Sequence, residues 1–134
     1  MAWAWPSIGL VDAVSLLRAL VETIDDRRWS GLPALLAPDF RSRLVHTGET
    51  FDRDSWVRFN ADYPGFGRMR LEEVVGAGDR VAGRAHVTGT SEGADSHFEV
   101  AMFVTARDGV IAEMVEVWAD CETEPPEGTR PPTP

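Results

Sequence analysis

The chain has one cysteine, Cys121, in 134 residues. A lone thiol excludes an internal disulfide and any cysteine-cluster metal site. Nothing therefore demands an oxidising compartment. Basic residues are scarce too: 13 Lys and Arg stand against 22 Asp and Glu, for a formal net charge of −9. Nucleic acid and anionic bilayers are held by concentrated positive charge, so neither is an expected partner. No apolar run approaches the roughly 20 residues that span a bilayer. The opening Met1-Ala2-Trp3-Ala4-Trp5-Pro6 lacks the basic segment and long apolar core of a signal peptide. A cytoplasmic location is the expectation. The three histidines lack ligand spacing, so no metal is expected. There is no glycine-rich phosphate loop and no nucleophile elbow, and no cofactor is expected.

What is present centres on the stretch from Asp108 to Asp120. Asp108-Gly109 is a tight-hairpin signal, because both residues tolerate positive φ. The stretch then alternates as a strand does. One face carries Val110, Ala112, Met114, Glu116, Trp118 and Asp120; the other carries Ile111, Glu113, Val115, Val117 and Ala119. Glu116 thus lies between Met114 and Trp118. A carboxylate among apolar neighbours is costly to ionise, which makes it a candidate site residue.

With 43% hydrophobic residues, the chain suits one domain over residues 1–121. A Pro-, Glu- and Thr-rich tail, 122–134, is expected to lack regular structure. Residues 10–28 read as an amphipathic helix, with Ala13, Leu16, Leu17, Leu20, Val21 and Ile24 at three- and four-residue steps. Ser30 offers a cap for a short second helix ended by Pro38. Phe40 to His46 is a short strand whose Arg41 and Arg43 suit an edge or partly exposed position. Asp52 caps a helix over residues 53–63, with Trp56, Phe59, Asn60 and Tyr63 on one stripe. Strands over 68–75, 80–90 and 96–107 then lead into the Asp108 stretch as an antiparallel meander. Helices first and a curved sheet afterwards predict an α+β fold, a bent sheet wrapped over helices around a blind, conical pocket.

Strand 96–107 has one uniformly apolar face, Phe98, Val100, Met102 and Val104. If that face lines the pocket with Met114 and Trp118, Glu116 points inward with them. Arg84 and His86, on one face of strand 80–90, are then its expected partners. Histidine titrates near neutral pH, burial raises a carboxylate's pKa, and a nearby arginine lowers it again. The three residues form the candidate catalytic set, with Glu116 and His86 exchanging a proton and Arg84 orienting the carboxylate or stabilising negative charge. Trp56, Asn60, Tyr63, Phe98, Val100, Met102, Met114 and Trp118 are the candidate pocket lining for a small apolar molecule. The plainer alternatives are an Arg84–Glu116 ion pair with no catalytic part, a satisfied sheet histidine at 86, and core roles for Trp56 and Tyr63. His46 and His97 are expected at the surface or an interface.

The order helix, helix, strand, helix, meander resembles the nuclear transport factor 2-like superfamily, specifically its SnoaL-like polyketide cyclase group. The resemblance covers about residues 10–120. It is carried by Ala13-Val14-Ser15-Leu16-Leu17, by the run from Trp29 to Phe40, by Phe51-Asp52-Arg53-Asp54-Ser55-Trp56, by Gly78-Asp79-Arg80-Val81, by Arg107-Asp108-Gly109-Val110-Ile111, and by Glu116-Val117-Trp118-Ala119-Asp120. It implies a cone-shaped, cystatin-like α+β roll, a homodimer formed through the sheet, and a pocket for a small apolar molecule. It also implies chemistry among that of relatives: cyclases, ketosteroid isomerases, epoxide hydrolases and dehydratases, alongside members without catalysis. Glu116 looks like the last-strand Asp of the epoxide hydrolases, and Arg84-Ala85-His86 like their Arg-x-Asp, with His86 in place of Asp. Their first-strand Tyr and Asn correspond to Ser42 and Leu44, a departure from epoxide hydrolysis. The steroid-isomerase Tyr and two Asp correspond to Leu20, Leu44 and Met102, all apolar. Glu116 with His86 is similar to the acid–base group of a cyclase acting on an enolisable ketone.

Overall fold

The protein is described from a computed structural model over residues 11–133. The N-terminal stretch read above as unlike a signal peptide, and the first residue of the expected first helix, lie outside the described residues.

Helix α1 spans Ala13–Asp25. Asp12 caps it, its side chain accepting from the Ser15 amide at 2.8 Å, so one of the first-turn donors without an intrahelical partner is satisfied. Its buried face is the expected stripe, Ala13, Leu16, Leu17, Leu20, Val21 and Ile24. The second helix is replaced by two single 3₁₀ turns, Trp29–Gly31 and Pro33–Leu35. Strand β1 then begins early, at Leu36–Leu44, so Pro38 lies inside a strand rather than ending a helix. The β1 register shifts between Leu36 and Arg41, which accommodates a residue with no N–H to donate. A three-residue strand, β2 (Thr50–Asp52), leads into α2 (Arg53–Ala61). The Asp52 side chain accepts from the Ser55 amide while Ser55 Oγ accepts from the Asp52 amide, a capping box. Tyr63 falls just past this shorter helix.

The meander follows as β3 (Phe66–Ala77), β4 (Arg80–Ser91), β5 (Ala94–Arg107) and β6 (Val110–Asp120). Asp108 and Gly109 take φ of 55° and 77°, the positive pair that a two-residue hairpin turn needs. The six strands form one sheet in the order β2-β1-β6-β5-β4-β3. All neighbours are antiparallel except β1 and β6, which run parallel. β1 is therefore an interior strand, and its charged Arg41 and Arg43 take exposed positions on its outer side, the second of the two expected placements. Register shifts within the β3–β4 and β5–β6 pairs bend the sheet, as bulges do.

The curved sheet wraps over α1, which lies chiefly against β3. The core joins the α1 stripe to Phe40, Val81, Ala85, Val100, Met102, Val104 and Met114. Asp25 anchors the end of α1 to β3. Its carboxylate accepts from Arg68 Nε and Nη2, both at 2.8 Å, and from the Met69 amide at 2.9 Å. That clamp holds Ile24 and Met69 at the rim of the hollow between α1, α2 and the sheet. Among the described residues no helix is long and apolar enough to cross a membrane. Beyond Asp120 the described residues form only turns and irregular chain.

Candidate active site

The hollow is an apolar cavity of about 160 Å³. Leu20, Ile24 and Met69 border it beneath α1, and Trp56, Phe59 and Asn60 border it from α2. Phe98, Met102, Met114 and Trp118 come from the inner face of β5 and β6. Trp29, Leu44, His46, Tyr63 and Phe66 complete the wall.

Glu116 is the one carboxylate bordering this space among the described residues, and it is 4% exposed. Strand alternation turns it inward with Met114 and Trp118, and cross-strand pairing sets it beside Met102 on β5 and Leu44 on β1. Three side chains donate to it. Ser42 Oγ and Trp56 Nε1 reach Oε2 at 3.1 and 3.0 Å, and Trp118 Nε1 reaches Oε1 at 3.2 Å. Oε2 thus has both acceptor directions filled, whereas Oε1 has one in reserve. Burial pushes the Glu116 pKa up; the donors Trp56, Ser42 and Trp118 and the charge of His46 pull against it without overcoming it. A carboxyl so placed binds a proton more readily than a solvated one and is supported as an anion by a preformed frame.

Arg84 and His86 do not join this site. His86 pairs with Glu99 on β5, and Glu99 in turn with Ala119 on β6; Arg84 pairs with Ala101, and Ala101 with Val117. Both residues occupy the outer face, whereas Glu116 is aligned with Met102 and Gly83 on the inner face. The reason is the alternation of β4 itself. Val81, Ala85 and Val87 are buried against the helix side, so the charged positions between them turn outward. Arg84 there bonds Glu73 and Glu99, and His86 Nδ1 bonds Glu99. Neither an Arg84–Glu116 ion pair nor a His86–Glu116 proton relay exists in this fold.

The remaining expected residues divide. Trp56, Asn60, Tyr63, Phe98, Met102, Met114 and Trp118 border the cavity. Val100 is fully buried in the core behind it, paired with Ala85 and Trp118, and does not border it. Asn60 Nδ2 donates to the Trp56 carbonyl at 2.9 Å, so its amide is partly spent on the helix end. Sequence reasoning missed Ser42 as a partner of Glu116. The signal was the β1 alternation, which buries Phe40, Ser42 and Leu44 together. His46 is exposed, as expected, but it also lies on the cavity wall just after β1, where its charge when protonated favours ionised Glu116.

Comparison with known proteins agrees with this architecture. No curated protein matches the sequence. A crystal structure of a proposed ketosteroid isomerase from Kribbella flavida DSM 17836 superposes with a TM-score of 0.74 at 26% identity, covering 90% of this chain and 88% of that one. Wild-type IdmH, a proposed polyketide cyclase from Streptomyces antibioticus, gives a TM-score of 0.67 at 23% identity over 78% of this chain and 90% of that one. An NTF-2 like protein of unknown function from Burkholderia xenovorans LB400 gives 0.67 at 13% identity over 84% and 87%. The latter two likenesses are of fold alone. The family model described as the SnoaL-like domain matches residues 17–114, from the first turns of α1 to the strand that carries Glu116, and the chain belongs to the SnoaL-like domain family.

Proposed function

We propose that the chain is an enzyme that performs acid–base chemistry on a small apolar ring compound, polyketide- or terpenoid-like, with Glu116 as the proton-transferring group. The observation that carries this reading is a single desolvated carboxyl set in an apolar cavity, with one oxygen lone pair still to spare. In the ionised state, Glu116 Oε1 removes a proton from the carbon next to a substrate carbonyl. Burial strengthens it as a base, and the indoles of Trp56 and Trp118 hold its plane fixed. The carboxylic acid then returns the proton to another carbon (isomerisation) or to a departing hydroxyl (dehydration); where the enolate carbon attacks a second carbonyl of the same molecule, the proton goes to that carbonyl's oxygen and a ring closes (cyclisation). Activation of a water by the same carboxylate would give hydrolysis. His46 and Tyr63, exposed lining residues, would hydrogen-bond the substrate oxygen. A space of about 160 Å³ takes roughly one ring, since a cavity of ~150 Å³ lined by Leu, Ile and Phe holds benzene. A larger compound would extend out of the mouth.

A second reading is a non-catalytic ligand-binding or dimerisation module of the same fold. The observation favouring it is that Ser42, Trp56 and Trp118 donate to Glu116 from β1, α2 and β6, so the carboxylate also ties these elements together. We further propose a homodimer through the outer sheet face, where Val75, Phe103 and Val117 are exposed, Phe103 by 50%. Deuterium exchange separates enzyme from module. In deuterium oxide, the protein should accelerate exchange of the α-protons of a cyclic ketone such as 2-tetralone, followed by NMR. Glu116→Gln should lower that rate by about 10²–10⁴-fold, the size of a general-base contribution. Wild-type exchange at the buffer rate, with the ketone bound, selects the module.

A further inference from the structure

The outer face of the sheet carries a second polar cluster, unrelated to the cavity. Strand pairing aligns His86 on β4 with Glu99 on β5, and Thr88 with His97. On β6 the last pair is Asp120 with Phe98, and the Cys121 amide donates to the His97 carbonyl at 3.0 Å. That bond extends the ladder one residue and brings the thiol onto the same face as His97 and Glu99. The ligand atoms of His86, Glu99 and Cys121 all lie within 4.8 Å of one another.

We propose that His86, Glu99 and Cys121 form a binding site for a zinc-class divalent cation. The donor set is one imidazole nitrogen, one carboxylate oxygen and one sulfur. A thiolate with an imidazole selects Zn²⁺, Co²⁺ and similar borderline ions over Mg²⁺ or Ca²⁺, which demand oxygen. The remaining polar atoms of His86 and Glu99 have partners at hand. Without the ion, His86 Nδ1–H donates to Glu99 Oε2; the ion replaces that bond, and His86 then carries its proton on Nε2, which donates to His97 Nδ1 at 3.0 Å. Glu99 keeps Oε1 on Arg84, which is braced by Glu73 at 3.1 Å. These are the outer contacts that fix a ligating histidine's tautomer and a ligating carboxylate's rotamer. His97 and Arg84 are thus positioning residues. The thiolate and carboxylate together neutralise the ion, and the thiol proton leaves to solvent when the metal binds. Three protein ligands leave a fourth tetrahedral position for water. The cluster is half-buried at His86 and Glu99 and open at Cys121, which provides the way in. It adjoins the apolar patch of the same face: Glu99 lies two residues along β5 from Ala101, the partner of Val117.

The test is a titration of the reduced, chelator-treated full chain with Co²⁺. The expected result is one ion per chain, with thiolate-to-cobalt charge-transfer absorption and the visible bands of a low-coordinate site. Zn²⁺ should displace it, and Mg²⁺ and Ca²⁺ should not. Cys121→Ser should abolish the charge-transfer absorption. Its exposed position leaves folding intact, which circular dichroism verifies. His86→Ala and Glu99→Gln should weaken Co²⁺ binding about tenfold or more, and His97→Ala about tenfold with the charge-transfer absorption retained. Absence of Co²⁺ and Zn²⁺ binding in the micromolar range overturns the site. So does full affinity in both His86→Ala and Glu99→Gln, because the thiol would then bind alone.

Discussion

Trp56 donates its indole N–H to Glu116 Oε2 at 3.0 Å, joining α2 to β6 through the wall of the cavity. Trp56 is 1% exposed and packs edge-on against Phe40, with ring centroids 5.5 Å apart. One side chain therefore both fills the core and supports the carboxylate. When Glu116 is ionised, the bond is stronger than a neutral one because its acceptor carries charge.

Replacing Trp56 by Phe keeps an aromatic ring and removes the donor. The Glu116 pKa should then rise further, because a contact that favours the anion is gone while the desolvation stays. Stability should fall by roughly 1 kcal/mol for the lost hydrogen bond, and by more at pH values where Glu116 is ionised, plus a smaller packing loss. Carbon-13 NMR of labelled glutamate carboxyls and urea unfolding read the two effects. A Glu116 titration unmoved by the substitution would show that the indole does not support the anion.

Glu116 also makes stability depend on pH in a definite direction. Its folded pKa is above the ordinary value of 4.5, so the native state holds the proton that the unfolded chain releases. The contribution is complete below pH 4.5 and is lost as pH rises through the folded value. Wild type compared with Glu116→Gln should therefore lose relative stability on going upward through that window. Urea midpoints of both proteins between weakly acid and weakly alkaline pH test this; a constant difference would contradict it.

Asp25 acts in the opposite sense. Its hydrogen bond to Arg68 holds its carboxyl down at about 2, against an ordinary 3.8. The stabilisation is present above 3.8 and disappears as pH falls through about 2. Asp25→Asn should unfold more easily than wild type at neutral pH, and the gap should close in strong acid. Acid unfolding followed by circular dichroism would expose an error here, if the gap were the same at both ends.

Gly65 sits at φ +75°, and a Cβ there would lie 2.1 Å from the Thr90 carbonyl oxygen. The Thr90 amide donates to the Gly65 carbonyl at 2.8 Å just before β3 brings Phe66 to the cavity. Gly65→Ala should cost roughly 2 kcal/mol or more, from left-handed strain and displacement of this pairing. Gly48→Ala, at φ +79° with nothing within 4 Å of the added carbon, is the control and should cost about 1 kcal/mol. Thermal melts of the two variants compare them directly; equal losses would deny the steric part.

Some of this was readable along the chain. The α1 stripe, the Asp52 cap, the Asp108-Gly109 turn and the four-stranded meander are local patterns, and each is present. The leucines after Ser30 suit a helical stripe, but only two single 3₁₀ turns form there. Tertiary pairing of Leu36 with Ile111 draws that segment into β1 instead. The Ser42–Glu116 contact spans 74 residues and depends on the parallel β1–β6 pairing, for which no local signal exists.

Alternation within one strand was enough to place Glu116 between Met114 and Trp118, because side-chain period is a property of a single extended chain. Applied as strictly to β4, it would also have turned His86 away from the apolar side. Which groups meet across strands was decided only by the folded sheet. Register and curvature bring together Ser42, Trp56 and Glu116 inside, and His86, Glu99 and Cys121 outside. Pairing is a relation between segments far apart in the chain, set by the packing of the whole core.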